Sequence, residues 1–243
     1  MERWRKPLES SNESELLAAL EELSGLGESA GAAAPMVNSL LARGANTKVL
    51  LSALNTAALL GQASSSDFVA PYVSHRNTEI RRAAARTLAR TKGATAVTAL
   101  RQALTGQDPV TRGLAAAGLG QLGAKEAVNE LFAVLVRDTP EAAVSIASLC
   151  SPEQCDRLMD FVGKLKFQVL EASFVPLLLR PQAELPDANK IRYIDRLRRL
   201  QTKGAASVLE TVSASLPKEE SAAVRAALTA ALRARPVVGD PSP

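Results

Sequence analysis

The stretch DPVTRGLAAAGLGQLGAKEAVNELFAVL, residues 108–135, places four glycines among alanines and leucines in what otherwise has the pattern of two helices. Glycine costs a helix about 0.5–1 kcal/mol relative to alanine, so its presence needs a physical reason. A helix held between two neighbours supplies one, because Gly113 and Gly118 would let backbones approach closely. Gly120 and Gly123 lie near the helix end, where a left-handed residue is favourable. The stretch therefore predicts a helix pair inside a stack of helices.

A period of 31 residues extends this pattern along the chain. The units begin at Asn46, Asn77, Asp108 and Thr139, all residue types that favour a helix N-cap. Apolar residues then recur at equivalent positions of both helices: Ala53, Ala84 and Ala115; Ala57, Leu88 and Leu119; Val69, Leu100, Leu131 and Val162. We therefore predict an all-α fold, a right-handed α-solenoid of stacked antiparallel helix pairs with about six to seven HEAT-like or armadillo-like repeats.

The repeat also carries a family resemblance. The pattern Asp-Pro-x-x-Arg-x-x-Ala-Ala-x-x-Leu-Gly-x-Leu-Gly, residues 108–123, resembles the short bacterial HEAT-like repeat of the phycobilisome-lyase type. The resemblance is strongest over residues 77–138 and extends over about 46–165. It implies a curved array whose second helices line an extended concave surface.

The repeat pattern divides the chain into three parts. We predict an N-terminal arm at residues 1–13, the solenoid at 14–235 and a disordered tail at 236–243 that is rich in Pro and Gly. Within the solenoid the period fails over residues 163–203, and irregular repeats often serve binding.

Charge and composition narrow the classes of function. The net charge is +4, yet residues 7–42 contain six acids and no Lys or Arg, which leaves the rest of the chain about +10 and suggests charged partners. No apolar run is long enough to predict a membrane span or a signal peptide. We therefore expect a cytoplasmic protein in which Cys150 and Cys155 are reduced thiols.

The irregular segment contains a basic helix that begins near Asp187 and carries Asp195 as its opposing acid. A second basic strip follows the helix that starts at Asn77. Charged helix faces are commonly only solvated, and the alternative is that these two surfaces bind an acidic partner. The candidate partner-binding residues are Lys190, Arg192, Arg196, Arg198 and Arg199, together with Arg82, Arg86 and Arg90.

Three other arginines receive a structural interpretation. Arg81 and Arg112 occupy the same repeat position, and Arg225 has the pattern of a third instance. In repeats of this family such an arginine commonly pairs with an acidic or capping residue of a neighbouring repeat. We therefore expect Arg81 and Arg112 to hold repeats together.

No residue pattern indicates catalysis, a cofactor or a metal. The single histidine, His75, is interpreted as a surface or capping residue, and the cysteine pair lacks the further Cys or His ligands that zinc prefers. The match GLGQLG at residues 118–123 ends a helix and follows no strand, so it is not a dinucleotide-binding loop. We expect a protein that is not an enzyme.

Three functions remain open on this basis. The first is a non-enzymatic scaffold or adaptor for a protein partner that is acidic. The second is a nucleic-acid-binding protein, similar to the DNA glycosylases built from HEAT-like repeats, although one Trp and two Tyr supply few stacking residues. The third is a lyase or chaperone-like subunit. If the second helices line the surface with mixed polar and apolar residues, the scaffold is favoured. If they line it with Arg and Lys throughout, binding of nucleic acid is favoured.

Overall fold

A computed structural model describes residues 2–234 of the chain. All regular elements in that range are helical, and they form two compact units that divide between Thr139 and Pro140. The predicted all-α class is therefore confirmed. The predicted tail at 236–243 lies outside the described residues.

The first unit contains nine α-helices. They are α1 (Glu2–Glu9), α2 (Glu13–Leu26), α3 (Ala34–Arg43), α4 (Thr47–Leu60), α5 (Ser66–Val69), α6 (Thr78–Thr91), α7 (Ala94–Ala103), α8 (Pro109–Gln121) and α9 (Val128–Val136). Helices α2, α4, α6 and α8 pack side by side as the first helices of successive repeats. Their shared core is built from the repeating Ala and Leu positions, and Ala53, Ala84, Ala115, Leu88 and Leu119 are fully buried.

N-caps begin three of these helices as the 31-residue period predicts. The side chains of Asn46, Asn77 and Asp108 accept hydrogen bonds from backbone N–H groups of the first turns of α4, α6 and α8. Thr139 does not cap a helix. It is buried, its hydroxyl accepts a hydrogen bond from Arg112, and the next helix begins only at Ala142.

The glycines of α8 are explained by packing and by helix termination. A Cβ on Gly118 would lie 3.0 Å from a methyl of Leu100 and 3.1 Å from the Cβ of Ala89, so the close approach favours glycine. Gly123 adopts the left-handed conformation, with φ of 69°, just after the helix. Gly120 instead lies inside α8, which ends at Gln121.

Buried threonines connect adjacent repeats in a way that hydrophobic periodicity does not reveal. The hydroxyl of Thr56 donates to the carbonyl of Leu20, and the hydroxyl of Thr87, 31 residues later, donates to the carbonyl of Leu54. Gly118 occupies the next equivalent position. Each threonine satisfies its hydroxyl while tying one first helix to the backbone of the one before.

The N-terminal arm is helical and packs on the first repeat. In α1, Trp4 and Leu8 are buried, and the Trp4 Nε1–H donates to Glu22 at 2.9 Å. Arg43 of α3 donates to the Leu8 carbonyl at 2.6 Å, near the end of α1. Helix α1 therefore covers one end of the array, as terminal elements of repeat proteins must.

The second unit, as far as residue 234, contains six α-helices. They are α10 (Ala142–Leu149), α11 (Pro152–Leu158), α12 (Phe167–Leu178), α13 (Asp187–Leu200), α14 (Lys203–Ser215) and α15 (Ala222–Arg233). Helices α10, α12 and α14 pack in sequence, and α13 packs against α14 and α15. The segment 163–203, where the sequence period fails, thus still contributes two stacked helices.

Candidate docking surface

Arg82 joins two adjacent repeats of the first unit. Its guanidinium makes two 2.9 Å hydrogen bonds to the carboxylate of Asp108, the N-cap of α8. Asp108 also accepts from the backbone N–H and hydroxyl of Thr111. The Arg82 guanidinium, aided by these bonds, holds the pKa of the Asp108 carboxyl well below its usual range. Arg82 therefore has a structural partner, and its docking role stays a prediction.

Arg81 and Arg112 are structural, and each binds the turn that links the preceding repeat to its own. Arg81 donates to the carbonyls of His75 and Arg76, and Arg112 makes the same contacts with residues 106 and 107. Arg225 donates likewise to turn carbonyls before α15. Arg112 also donates a hydrogen bond to the hydroxyl of Thr139 at 3.2 Å, and this bond joins its repeat to the next repeat as expected.

The other two residues of the strip are exposed. Arg90 donates to the Ala58 carbonyl of the preceding first helix at 3.2 Å. Arg86 makes no hydrogen bond or ion pair within residues 2–234, and it remains available as a contact residue.

Lys190 is not a surface residue. Its side chain is fully buried, and its ammonium lies 2.6 Å from a carboxylate oxygen of Glu220, which is 6% exposed. The prediction that Lys190 contacts a partner was wrong, because α13 turns this position toward the residues before α15. Sequence periodicity could not reveal the pairing, since Glu220 lies 30 residues away.

The arginines of α13 meet more carboxylates than the single Asp195 of the sequence pattern. Arg192 binds both oxygens of Asp156, at 2.7 and 2.8 Å, and Arg196 binds Asp160 at 3.1 Å. Both carboxylates come from residues 36 positions earlier. The positive charge of α13 is therefore partly neutralised by carboxylates from another part of the chain, which the sequence of the helix alone does not indicate.

Asp156 organises the contact between α11 and α13. Besides Arg192, it accepts hydrogen bonds from the hydroxyl of Tyr193 at 2.7 Å and the amide of Asn189 at 3.3 Å. Burial, assisted by the Asp156 carboxylate, raises the pKa of the Tyr193 phenol well above its ordinary value. Arg192 thus belongs to a structural network.

The C-terminal end of α13 keeps a surplus of positive charge. Arg198 and Arg199 both bind Asp195, each at 2.7 Å, and they are 38% and 72% exposed. Hydrogen bonds from Arg198 and, to a smaller extent, from Arg199 lower the pKa of the Asp195 carboxyl. Arg196, 49% exposed, lies on the same helix. Three exposed guanidiniums therefore face two carboxylates.

The second helices of the first unit expose a mixed surface. Phe68 of α5 is 37% exposed and Val136 of α9 is 67% exposed, beside polar residues such as Ser39 and Asn129. Their charged side chains pair across repeats, as Arg101 does with Glu130. This surface is neither a continuous row of Arg and Lys nor an aromatic pocket.

Residues that were candidates for chemistry have structural roles. His75 Nδ1 accepts from the backbone N–H of Asn77 at 3.1 Å, a local cap as expected. Cys150 and Cys155 form a disulfide, so the expectation of reduced thiols was wrong. Within residues 2–234, no three His, Cys, Asp or Glu side chains group together as a metal site would require. In the same range, no helix combines the length and hydropathy needed to cross a bilayer.

Comparisons with known proteins agree with this architecture. A family model for HEAT repeats matches residues 34–119. The complex of CpcE and CpcF of phycocyanin lyase from Nostoc sp. PCC7120 is similar in structure, with a TM-score of 0.53 and 18% identity over 88% of this chain and 94% of that chain. An engineered protein gives the same TM-score and identity over 93% and 71%. A comparison with curated protein sequences gives no match. At this level of identity the structural likeness concerns the fold alone.

Proposed function

On the premise that residues 34–119 are HEAT repeats, we propose that this protein is a non-enzymatic scaffold that binds an acidic partner protein. HEAT and armadillo-like arrays suit protein interaction because they present extended surfaces built from many repeats. The binding residues proposed are Arg196, Arg198 and Arg199 at the end of α13, with Arg86 of α6 as a separate exposed cation. Lys190, Arg82 and Arg192 serve the fold.

The observation that carries this proposal is the sharing of Asp195 by Arg198 and Arg199. Each guanidinium has five N–H donors. Because Arg198 and Arg199 share one carboxylate, several of their donors remain for the carboxylates of a partner. Exposed ion pairs of this kind contribute only about 0–1 kcal/mol, so a partner can replace the internal acid at little cost.

Binding of nucleic acid receives less support. Trp4 and Tyr193 are buried, so they offer no face for base stacking. The lyase or chaperone-like alternative rests on similarity of fold to a lyase subunit complex.

The test is capture of partners from nuclease-treated native lysate by the tagged full-length protein, followed by a measured affinity for the dominant partner. We expect R196E/R198E/R199E to weaken that affinity at least about tenfold, about 1.4 kcal/mol, with an unchanged melting temperature. Binding should also weaken as salt rises.

The matched control is the triple reversal R5E/K125E/R137E, which makes the same change in net charge at exposed positions of the first unit. The proposal predicts that the control binds like the wild type. Equal losses in both triple variants would indicate non-specific attraction. Unchanged affinity of the α13 variant would remove this helix from the interface.

A further inference from the structure

The corner between α10 and α11 holds a buried disulfide. Cys150 directly follows α10, Cys155 lies in α11, and the two residues are only 1% and 0% exposed. Ser151, between them, caps α11, and the side chains of Ser151 and Glu153 are exposed. The sulfurs therefore face the interior from a corner whose other residues lie at the surface.

A single arginine lies against both sulfurs. Arg180 follows the C-terminal end of α12, and its Nη1 donates to the Cys150 carbonyl at 2.9 Å. The same nitrogen is 3.8 Å from the Cys150 Sγ and 3.7 Å from the Cys155 Sγ. The side chain of Arg180 is 13% exposed, and its charge is paired with the largely exposed Glu184. A mostly desolvated cation thus lies within reach of either sulfur.

The position of the Arg180 cation favours the reduced state of the cysteine pair. A disulfide is neutral and gains little from a guanidinium, whereas a thiolate at either sulfur would form a charge-assisted contact. A group that stabilises the reduced state makes the disulfide easier to reduce. The bond also spans only five residues, so it restricts the unfolded chain less than a long-range disulfide would.

We propose that Cys150 and Cys155 form a thiol–disulfide exchange site for a dithiol reductant, with Arg180 as its positioning residue. A thiolate of the reductant attacks one sulfur, the bond between the two cysteines breaks, and a mixed disulfide forms. The second thiol of the reductant then displaces that cysteine. Two electrons pass to the cysteine pair, the reductant becomes a disulfide, and its two protons pass to the cysteine sulfurs or to solvent.

The site is reached from solvent by local opening of the α10–α11 corner, because the sulfurs are buried in the closed structure. The opening is local because α11 is only seven residues long, and it must release the hydrogen bonds of Asp156 with Arg192 and Tyr193 of α13. Exchange is therefore expected in the folded protein.

The experiment equilibrates the full-length protein with mixtures of reduced and oxidised dithiothreitol, traps free thiols by alkylation and measures the reduced fraction by mass. Circular dichroism on the same samples reports whether the fold is retained. We expect reduction without loss of helicity. In R180Q the equilibrium constant for reduction should fall about tenfold, which corresponds to about 30 mV for a two-electron couple.

Two variants separate charge from structure. R180K keeps a cation beside the sulfurs and should shift the equilibrium less than R180Q. R112Q removes an arginine that likewise donates to turn carbonyls but lies in the first unit, and it should leave the equilibrium unchanged. Reduction only upon unfolding, or the same midpoint in R180Q and the wild type, would overturn the proposal.

Discussion

At the scale of the residue, Asp108 shows how one side chain serves two elements. It caps α8 through the N–H of Thr111 and receives two hydrogen bonds from Arg82 of α6. The carboxyl is 12% exposed, so the pair is shielded from solvent more than the arginine pairs of α13. Its ionised form is favoured in the folded chain, chiefly by Arg82, and this preference links protonation to stability.

Replacing Asp108 by Asn should reduce the acid sensitivity of the protein. Because the pKa of this carboxyl is lowered on folding, its contribution is complete above the unfolded value of about 4 and is lost as the pH falls toward the folded value. Urea unfolding should show a smaller loss of free energy from pH 5 to pH 2 in D108N than in the wild type.

At pH 7 the same variant should cost about 1 kcal/mol, because Asn keeps the cap but loses the charge. A double-mutant cycle with R82Q isolates the pair. Equal acid slopes for D108N and the wild type would contradict the assignment.

At the scale of the element, α13 combines a buried ion pair with an exposed basic end. Lys190 is buried and paired with Glu220, whereas Arg196 and Arg199 of the same helix are exposed to solvent. Removing one member of a buried pair leaves an uncompensated charge, and this costs far more than breaking an exposed pair. The helix is therefore anchored by a cation that composition alone would count with the surface charges.

The variant K190M should lower the free energy of unfolding by about 3–5 kcal/mol. The matched variant R196M, on the same helix, should change it by no more than about 1 kcal/mol. Both are measured by urea denaturation at pH 7. Replacing both partners, in K190M/E220L, should recover part of the loss, because no unpaired charge remains. Similar values for K190M and R196M would refute the burial of this pair.

At the scale of the whole molecule, stability comes from repeats that contact their neighbours. In the first unit α4 packs against α2 and α6, and α6 packs against α4 and α8, so a fault in one repeat affects the surfaces of the next. The second unit stacks its helices by the same rule. A charge introduced at an apolar position of such a core has no partner, so its burial destabilises the stack.

Helix α9 offers a matched pair of positions for testing this. Leu131 is fully buried and Val136 is 67% exposed. We expect L131D to abolish the cooperative thermal transition of the first unit, as judged by circular dichroism and hydrogen exchange over residues 2–139. V136D should stay within about 0.5 kcal/mol of the wild type. Cooperative melting of L131D at the wild-type temperature would show that α9 is not part of the core.

Local patterns in the sequence were sufficient to determine the helical repeat. The 31-residue period, the caps at Asn46, Asn77 and Asp108, and the buried Ala and Leu positions all concern residues that interact within a turn or along one helix face. A left-handed glycine at Gly123 was predicted for the same reason, whereas glycine at Gly118 was predicted from the expectation that this helix lies between neighbours. The docking role of Arg86, Arg196, Arg198 and Arg199 stays a prediction.

Only the tertiary structure decided which charges pair and which remain exposed. Neighbouring residues on a helix point about 100° apart, so Arg82 rather than Arg81 reaches Asp108, and Lys190 points inward. The partners Asp156, Asp160 and Glu220 lie 30 to 36 residues away and are brought close by the register of stacked helices. The approach of Arg180 to the Cys150–Cys155 disulfide likewise depends on the packing of helices. The helical period is local information, whereas the identity of a charge's partner is set by packing.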